Sequence, residues 1–355
     1  MKHEPIDKEI TLVAHISNKS SQNLLEFLVS RFKYLDETEW KQRILEGKVK
    51  VNERACSEGQ PLRAGDEVAY TTNAWEEPEV NKNYRIVFED EWLMAVSKPA
   101  PLPVHAIGAY FRNSLTHLLR QDRPESENYH LAHRLDSETS GLLLLAKDTP
   151  TLRKIQKDWN DNIQKTYRAI VFGDFQKEEL KLNAPIGPKA GSEVRMKLAV
   201  VQKAVNNRTI ANFERSEAIS VGNNDAISGE RSEAIPGPSK EAKASTTLFK
   251  GLETKGKFSL VQAQPLTGRT HQIRVHLEHL GFPIVGDKLY SGDDETFLHF
   301  YEYDWDDWLK ERVLMPRTCL HAYQLEFTHP QTGQRISLED PMPEDMAQFW
   351  QSIRA

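Results

Sequence analysis

The sequence is poor in cysteine and has no long apolar run, and each shortage excludes a class of protein. Cys56 and Cys319 are the only cysteines among 355 residues, and they have no CxxC spacing. This pattern argues against a structural zinc site and is typical of a reducing compartment. No stretch reaches the apolar length of a membrane span, and the charged start MKHEPIDKEI has no apolar signal segment. We therefore expect a cytoplasmic protein with no membrane contact.

An excess of positive charge is also missing. The chain has 46 lysines and arginines against 52 aspartates and glutamates, a formal net charge of −6. Binding to nucleic acid would therefore have to come from a local basic patch rather than from the whole surface. The hydrophobic fraction of 39% is ordinary for a globular protein, and the length allows one large domain or two unequal ones.

The stretch HRLDSETSGLLLLAKD, at residues 133–148, combines a polar loop with an apolar strand. Its second half, Gly141–Ala146, has the length of a buried strand and is too short for a typical helix. Its first half has the composition of a loop and contains one aspartate, Asp136. Loops positioned by a rigid scaffold often carry catalytic groups, although for an isolated Asp-Ser-Glu-Thr a solvated turn is the better explanation.

Residues 21–47 have the periodicity of two helices. The first is expected to reach Phe32. The second has a capping box formed by Asp36 and Glu39, and Gly47 is a natural stop. Three large residues are expected on its inward face: Trp40, Ile44 and Leu45.

The KVKVN stretch that follows alternates valines with Lys48 and Lys50, and PLRAGDEVAY predicts a further strand. The order helix, helix, EGKVKVN and L-x-x-GDEV resembles the αL RNA-binding motif. The alternative is a generic α+β unit whose lysines only protect a strand edge. We assign 21–72 to an αL module, 1–20 to an N-terminal extension and 73–83 to a linker.

Residues 205–245 interrupt the strand-rich pattern of the larger second region. The hexapeptide ERSEAI occurs twice there, at Glu214–Ile219 and Glu230–Ile235, among polar residues, glycine and proline. Two polar copies are too few for a solenoid. The composition predicts a disordered surface insertion that is dispensable for catalysis.

Several sequence blocks of the second region resemble the RluA family of RNA pseudouridine synthases. They are EDEWLMAVSKPAPLPVH, HRLDSETSG, KTYRAIVFG, TGRTHQIRVHLEHLGFPIVGDKLY and LHAYQLEFTHP, in this order. The resemblance covers about 84–346 apart from the insertion, and we assign 84–350 to the catalytic domain. It implies an α+β catalytic domain with a mixed, mainly antiparallel sheet and flanking helices, preceded by the small αL domain.

The resemblance also implies roles for individual residues. Asp136 matches the nucleophilic aspartate of the family, Tyr167 matches its active-site tyrosine, and Arg274 matches the basic residue that pairs with the aspartate. Arg134 matches an arginine that holds the target nucleotide out of its stack. The expected substrate-binding set is Arg134, His133, Arg269, His271, Lys48 and Lys50.

The implied reaction isomerises uridine to pseudouridine, so that no redox cofactor or nucleotide is required. No metal site is expected: of His133, His271 and His276, only the last two are close, and their five-residue spacing puts them on different faces of a helix. The expected partner is RNA, and the protein is expected to be a monomer. One stretch, PLPVHAIGAYFRNSLTHLL, resembles members of the family that act on transfer RNA, whereas the αL module resembles enzymes of large-subunit ribosomal RNA.

Other interpretations remain open at this point. The protein could be an RNA-binding protein with an inactive synthase domain. It could also be a glycosidase, which would need a second catalytic carboxylate, and Glu138 is the nearest candidate. On local sequence alone, Tyr167 could be a core residue of a strand, and Arg274 could serve only its own helix.

Overall fold

The computed structural model describes residues 5–16, 23–32, 35–75, 77–107, 109–157, 159–201 and 242–354. These residues form two compact units. The first consists of the chain up to Arg85 with Lys98–Tyr129 and Arg134–Ser137, and the second consists of the remainder. The secondary structure up to residue 75 is β1 (Pro5–His15), α1 (Leu24–Arg31), α2 (Glu37–Leu45), β2 (Val49–Val51), β3 (Arg54–Ala55) and β4 (Glu67–Trp75).

The N-terminal elements form a four-stranded sheet in the order β1-β4-β2-β3. Strand β1 pairs antiparallel with β4 from His15 opposite Glu67 to Pro5 opposite Trp75. The prediction of a separate extension at 1–20 is therefore corrected, because main-chain hydrogen bonds join 5–15 to this sheet. The alternation of strand β2 is confirmed, since Val49 and Val51 are buried and Lys50 is exposed.

The two predicted helices of this region are present. Asp36 caps α2, its side chain accepting from the backbone N–H of Glu39 while Glu39 accepts in return. Trp40 and Ile44 are buried as expected, but the prediction for Leu45 was wrong, because 88% of this side chain is exposed. Leu45 lies about 100° around the helix from Ile44, just beyond the apolar stripe.

The predicted linker is held in place within the first unit. Both carboxylate oxygens of Glu77 accept hydrogen bonds from the backbone N–H groups of Phe111, Arg112 and Asn113 at 2.7–2.9 Å. Asn113 also donates to the carbonyl of Pro78. Residues 77 and 78 of this segment are therefore anchored, because a charged acceptor binds three main-chain donors.

The remaining strands are β5 (Arg85–Glu89), β6 (Leu93–Lys98), β7 (His130–Leu131), β8 (Ser140–Ala146), β9 (Ile163–Phe172), β10 (Leu180–Asn183), β11 (Ile186–Pro188), β12 (Leu198–Val200), β13 (Thr246–Lys255), β14 (Phe258–Pro265), β15 (Leu320–Thr328) and β16 (Arg335–Glu339). The remaining α-helices are α3 (Leu115–Asp122), α4 (Thr149–Lys157), α5 (Trp159–Asn162), α6 (Gln272–His279), α7 (Asp294–Tyr303), α8 (Asp307–Val313) and α9 (Glu344–Ser352). A 3-10 helix covers Pro124–Asn128.

A large mixed sheet organises the second unit, with the strand order β10-β13-β14-β9-β15-β8-β6-β5. Strands β16 and β7 pair with β15 and β8, respectively. The β15–β8 pair is parallel, whereas β10–β13, β13–β14, β14–β9 and β9–β15 are antiparallel. The expected mixed and mainly antiparallel sheet is confirmed.

Strand β8 lies in the interior of this sheet, and all seven of its residues are buried. Leu142 and Leu144 pack in one cluster with Ile155 of α4 and with Leu325 and Phe327 of β15. Leu143 and Leu145 alternate with them and are also buried. Burial on both faces explains why this strand reads as a continuous apolar run rather than as an alternating one.

The predicted insertion lies largely outside the described residues, which resume at residue 242. Its predicted end at 245 is too late, because Lys243 forms a bridge with Ile186 and Ser245 is fully buried. The residues just before β13 therefore belong to the folded unit. Among the described residues, no helix has both the length and the apolar composition needed to cross a membrane.

The N-terminal core allows a matched test of burial. We expect Leu28→Ala to lower the free energy of unfolding by about 2–5 kcal/mol, because Leu28 is fully buried in the cluster around Trp40. Leu45→Ala should change it by less than about 0.5 kcal/mol. Urea denaturation of the full chain measures both. Equal losses would contradict the described packing of α2.

Candidate active site

Asp136 lies in the short segment Arg134–Ser137 that precedes β8. Asp136 is half-buried, Leu135 beside it is buried, and Arg134 is exposed. The carbonyl of Ser137 accepts a hydrogen bond from the backbone N–H of Leu102 at 2.9 Å and another from the ammonium of Lys98 at 3.1 Å. The residue next to Asp136 is therefore fixed from within the first unit.

Lys98 joins the segment that contains Asp136 to the residues that follow β6. Its side chain is fully buried, and its ammonium also donates to the carbonyls of Pro99 and Leu102 at 2.9 and 2.8 Å. A buried cation is tolerated only where its donors are satisfied, and here three carbonyls do so. Lys98 lies within the family block EDEWLMAVSKPAPLPVH, but no role was predicted for it.

Glu138, two residues after Asp136, is bound within the second unit. One carboxylate oxygen lies 2.7 Å from the ammonium of the buried Lys288. The other accepts from the N–H and the hydroxyl of Thr318 at 3.0 and 2.9 Å. Both oxygens are thus occupied in holding the loop, which is a poor arrangement for the second catalytic carboxylate of a glycosidase.

The start of β8 rests on a buried polar network. The hydroxyl of Ser140 lies 3.0 Å from Nδ1 of His321, whose Nε2 lies 2.9 Å from the carbonyl oxygen of Asp340. Burial lowers the pKa of His321, and the charges of Arg317 and Arg168 act in the same direction. The imidazole is therefore neutral at pH 7.

Gly141 follows Ser140 where β8 approaches β15 most closely. Its φ is +109°, and a Cβ placed on it would lie 2.3 Å from the carbonyl oxygen of Ala322. Neither the backbone conformation nor the space allows a side chain. The glycine of the DSETSG stretch is thus required by strand packing.

Tyr167 lies in the middle of β9, opposite Ala263 of β14 and Ala322 of β15. Only 7% of the residue is exposed. Both of these cross-strand neighbours are alanines, so that little side-chain volume flanks the tyrosine on the face of the sheet. The central sheet therefore sets the position of Tyr167.

Arg274 of α6 forms a two-pronged ion pair with Asp287. Its Nε and Nη2 donate to the two carboxylate oxygens at 2.6 and 2.8 Å. Burial alone would raise the pKa of Asp287, but the charge and hydrogen bonds of Arg274 outweigh burial and hold the pKa below its usual value. Asp287 also accepts from the N–H groups of Leu289 and Tyr290. The plane of the guanidinium is therefore fixed.

The turn before α6 carries two further predicted residues. His271 has a left-handed backbone conformation with φ of 56°, which is uncommon outside glycine, and its Nδ1 lies 2.9 Å from the hydroxyl of Tyr290. Arg269 is exposed, and its Nε donates to the carbonyl of Ala244. The buried Gln272 accepts from the backbone N–H of Arg269 and from the hydroxyl of Thr267.

His133 supports the scaffold rather than lying open to solvent. Its Nε2 accepts from the backbone N–H of Leu144 at 3.2 Å, and its ring lies 5.7 Å from that of Trp159. Lys48 is half-buried and Lys50 is exposed on the N-terminal sheet. Tyr167, Arg274, His271, Arg269 and His133 belong to the second unit, and Asp136, Arg134, Lys48 and Lys50 belong to the first.

Comparisons with known proteins agree with this arrangement of motifs. A family model described as RNA pseudouridylate synthase matches residues 92–279. Ribosomal large subunit pseudouridine synthase C of Escherichia coli (strain K12) is 31% identical over 97% of this chain and 97% of its own length. The chain belongs to the RNA pseudouridylate synthase family.

Two more similarities fit this membership. Ribosomal large subunit pseudouridine synthase C of Vibrio vulnificus (strain CMCP6) is 29% identical over 98% of both chains. The solved structure of human RNA pseudouridylate synthase domain containing 1 matches with a TM-score of 0.50 and 22% identity, covering 79% of this chain and 98% of that one. The latter shows the shared fold. The chain is an RNA pseudouridine synthase of the RluA family, an isomerase that acts on RNA.

The sequence analysis missed the residues that support the family motifs. Asp287 and Lys288 stand in GDKLY, at the end of the family block TGRTHQIRVHLEHLGFPIVGDKLY, and no role was predicted for either. Their proximity to Arg274 and Glu138 depends on long-range folding, so that no local pattern could indicate it. The one available signal was that GDKLY falls within a family block.

Lys98 provides a first test of the support beneath the site. Lys98→Met should lower the free energy of unfolding by about 2–4 kcal/mol, because three buried carbonyls lose a donor. It should lower kcat by roughly 10- to 100-fold with little change in KM, because the loop beside Asp136 is no longer fixed. Denaturation and steady-state kinetics measure the two effects. Lys82→Met, at an exposed lysine, is the control, and a Lys98 variant with full kcat would refute the positioning role.

The buried network predicts a loss of stability in acid. Because burial depresses the pKa of His321 in the folded state, the unfolded chain takes up a proton first as pH falls through about 6.5. The free energy of unfolding should therefore fall between pH 7 and pH 5, by at most about 1.4 kcal/mol per pH unit for this histidine. His321→Gln should reduce the slope, whereas His279→Gln, at an exposed site, should not. An unchanged slope in His321→Gln would contradict the assignment.

Proposed function

We propose that this synthase isomerises uridines of large-subunit ribosomal RNA, with Asp136 as its nucleophile. The observation that carries the substrate assignment is the similarity to two relatives named for the large ribosomal subunit, over 97–98% of each chain. The similarity extends across the N-terminal sheet as well as the catalytic unit. The predicted cytoplasmic location and monomeric state remain predictions.

The reaction moves one bond and needs no redox step. The bond from the base nitrogen to ribose breaks, and a bond from carbon 5 of the base to ribose forms. A carboxylate that acts covalently divides this change into two easier steps. Asp136 is the proposed carboxylate because it stands between Ser137 and Leu135, both held by the fold, and is itself only half-buried.

Arg274 and Tyr167 are the proposed companions of Asp136. A guanidinium has five N–H donors, and Asp287 accepts from two of them. We propose that Arg274 also pairs with Asp136 and keeps it ionised at neutral pH. Tyr167 offers a ring face for stacking on the base and a hydroxyl at its polar end.

The proposed RNA contacts extend beyond the reacting base. Arg134 is exposed next to Leu135, and we propose that it holds the flipped nucleotide, since unstacking costs about a few kcal/mol. Arg269 and His271 are proposed to bind the same nucleotide from the turn before α6. We propose that His133 contributes through the position of β8, given its bond to Leu144.

The N-terminal sheet is proposed to act as an αL module. Lys50 projects from the exposed face of β2, and Lys48 flanks the strand. Such cations contact phosphates and shift affinity with salt, without reading sequence. This arrangement accounts for RNA binding by a chain of net negative charge.

The nucleophile assignment predicts a separation of binding from catalysis. Asp136→Asn is nearly isosteric and removes the nucleophilic charge, so that pseudouridine formation on a transcribed large-subunit RNA fragment should fall below detection. RNA affinity, measured by filter binding, should stay within about three-fold, which is about 0.65 kcal/mol. Glu127→Gln, which neutralises an exposed carboxylate, is the control and should keep wild-type turnover. Turnover retained by Asp136→Asn would remove Asp136 from this role.

The substrate class is tested with purified protein on two sets of transcripts, large-subunit ribosomal RNA fragments and transfer RNAs. Pseudouridine in the former alone is the expected result. Modification confined to transfer RNA would overturn the ribosomal assignment while leaving the reaction in place.

A further inference from the structure

A cleft of about 270 Å³ opens in the second unit where β9 begins and β14 ends. Its lining includes two cationic side chains, Lys165 and Arg335, and the indole of Trp159. Leu248 and Leu266 supply an apolar wall. None of the described residues that line it is acidic. With two cationic side chains and no carboxylate among its described lining residues, the cleft is a locally positive site in a chain of net charge −6.

Lys165 is partly removed from water. Its ammonium lies 5.3 Å from the centre of the Trp159 ring, and burial lowers the pKa of this lysine to about 8. Within the described part of the chain, no carboxylate lies within ion-pair distance of it. An anion that entered the cleft would therefore meet a poorly solvated cation.

Arg335 supplies the second charge from β16. Its Nη1 donates to the carbonyl of Asn162 at 3.0 Å, which holds the guanidinium at the end of α5. A guanidinium presents further donors in the same plane, a geometry that suits phosphate oxygens. The cleft thus combines two positive groups with an aromatic and aliphatic wall.

The cleft is next to residues already proposed to meet RNA. Lys165 precedes Tyr167 by two positions on β9, so that the two side chains leave the same face about 7 Å apart along the strand. Thr267, which also lines the cleft, precedes Arg269 by two positions. An RNA strand whose target base reaches Tyr167 would place an adjacent nucleotide at this cleft.

We propose that this cleft binds one nucleotide that neighbours the target uridine, with its phosphate at Lys165 and Arg335 and its base against Trp159. The proposal rests on the proposed function and extends it to a second subsite. Small-ligand pockets usually have volumes of about 300–1,000 Å³, and the volume of this cleft is near the lower limit of that range. It therefore suits a single nucleotide rather than a longer segment of RNA. Stacking on an aromatic ring accepts any base, so this subsite adds affinity rather than sequence specificity.

Kinetics and salt dependence on a transcribed large-subunit fragment test the subsite. Lys165→Gln and Arg335→Gln should each raise KM several-fold, leave kcat within about two-fold, and reduce the slope of log affinity against log salt by about 0.7. Lys165→Arg should retain most of the affinity. Lys250→Gln, at an exposed lysine on β13, should behave as wild type. Unchanged KM and slope in both folded glutamine variants would overturn the proposal.

A second measurement does not depend on turnover. Uridine 5′-monophosphate should protect Lys165, but not Lys250, from acylation at pH 8, read by mass spectrometry of the full chain. Equal labelling of Lys165 with and without the nucleotide would overturn the proposal. Protection together with the lowered salt slope, in a protein that forms no pseudouridine, would refute the proposed function and leave the subsite intact. Normal pseudouridine formation with no effect of either variant would refute the subsite alone.

Discussion

The structure depends on how the chain on either side of Asp136 is held. A carboxylate in a loop has many rotamers and backbone states, and ordering it costs free energy. Here the ammonium of Lys98 binds the carbonyl of Ser137, and Lys288 and Thr318 bind the carboxylate of Glu138. Each anchor acts within its own compact unit. The loop that contains Asp136 is thereby fixed by hydrogen bonds of the residues next to it.

Buried polar groups that support the loop need hydrogen-bond partners. In this synthase, several of these partners are charged side chains that are themselves buried. Asp287 is fully buried, and the charge of Arg274 outweighs the burial that would raise its pKa. His321 has the opposite arrangement, since burial keeps it neutral and able to bond both to Ser140 and to the carbonyl of Asp340. Removing one member of such a network leaves the others without a hydrogen-bond partner. A substitution in the network is therefore expected to lower the free energy of unfolding.

Local sequence predicted those features whose cause is local. The capping box at Asp36, the buried run of β8 and the stop at Gly47 depend on a few adjacent residues, and each is present. The family blocks also indicated roles for Asp136, Tyr167 and Arg274, and these roles stay predictions. Other contacts join residues that are far apart in sequence, and no local pattern indicates them. They are the pairing of β1 with β4, the hydrogen bonds of Glu77 to the backbone of 111–113, and the contacts of Glu138. Sequence periodicity cannot indicate such long-range contacts. The exposure of Leu45 shows that it also misplaces residues at the edge of an apolar helix face.

Pseudouridine mapping of RNA from cells with and without this protein tests the central claim most directly. The account predicts that one or a few uridines of large-subunit ribosomal RNA lose their modification when the protein is absent, and that the wild-type chain restores them. Identical maps in the two cell lines, with the protein shown to be expressed in the reference cells, would contradict the claim that this synthase modifies large-subunit ribosomal RNA.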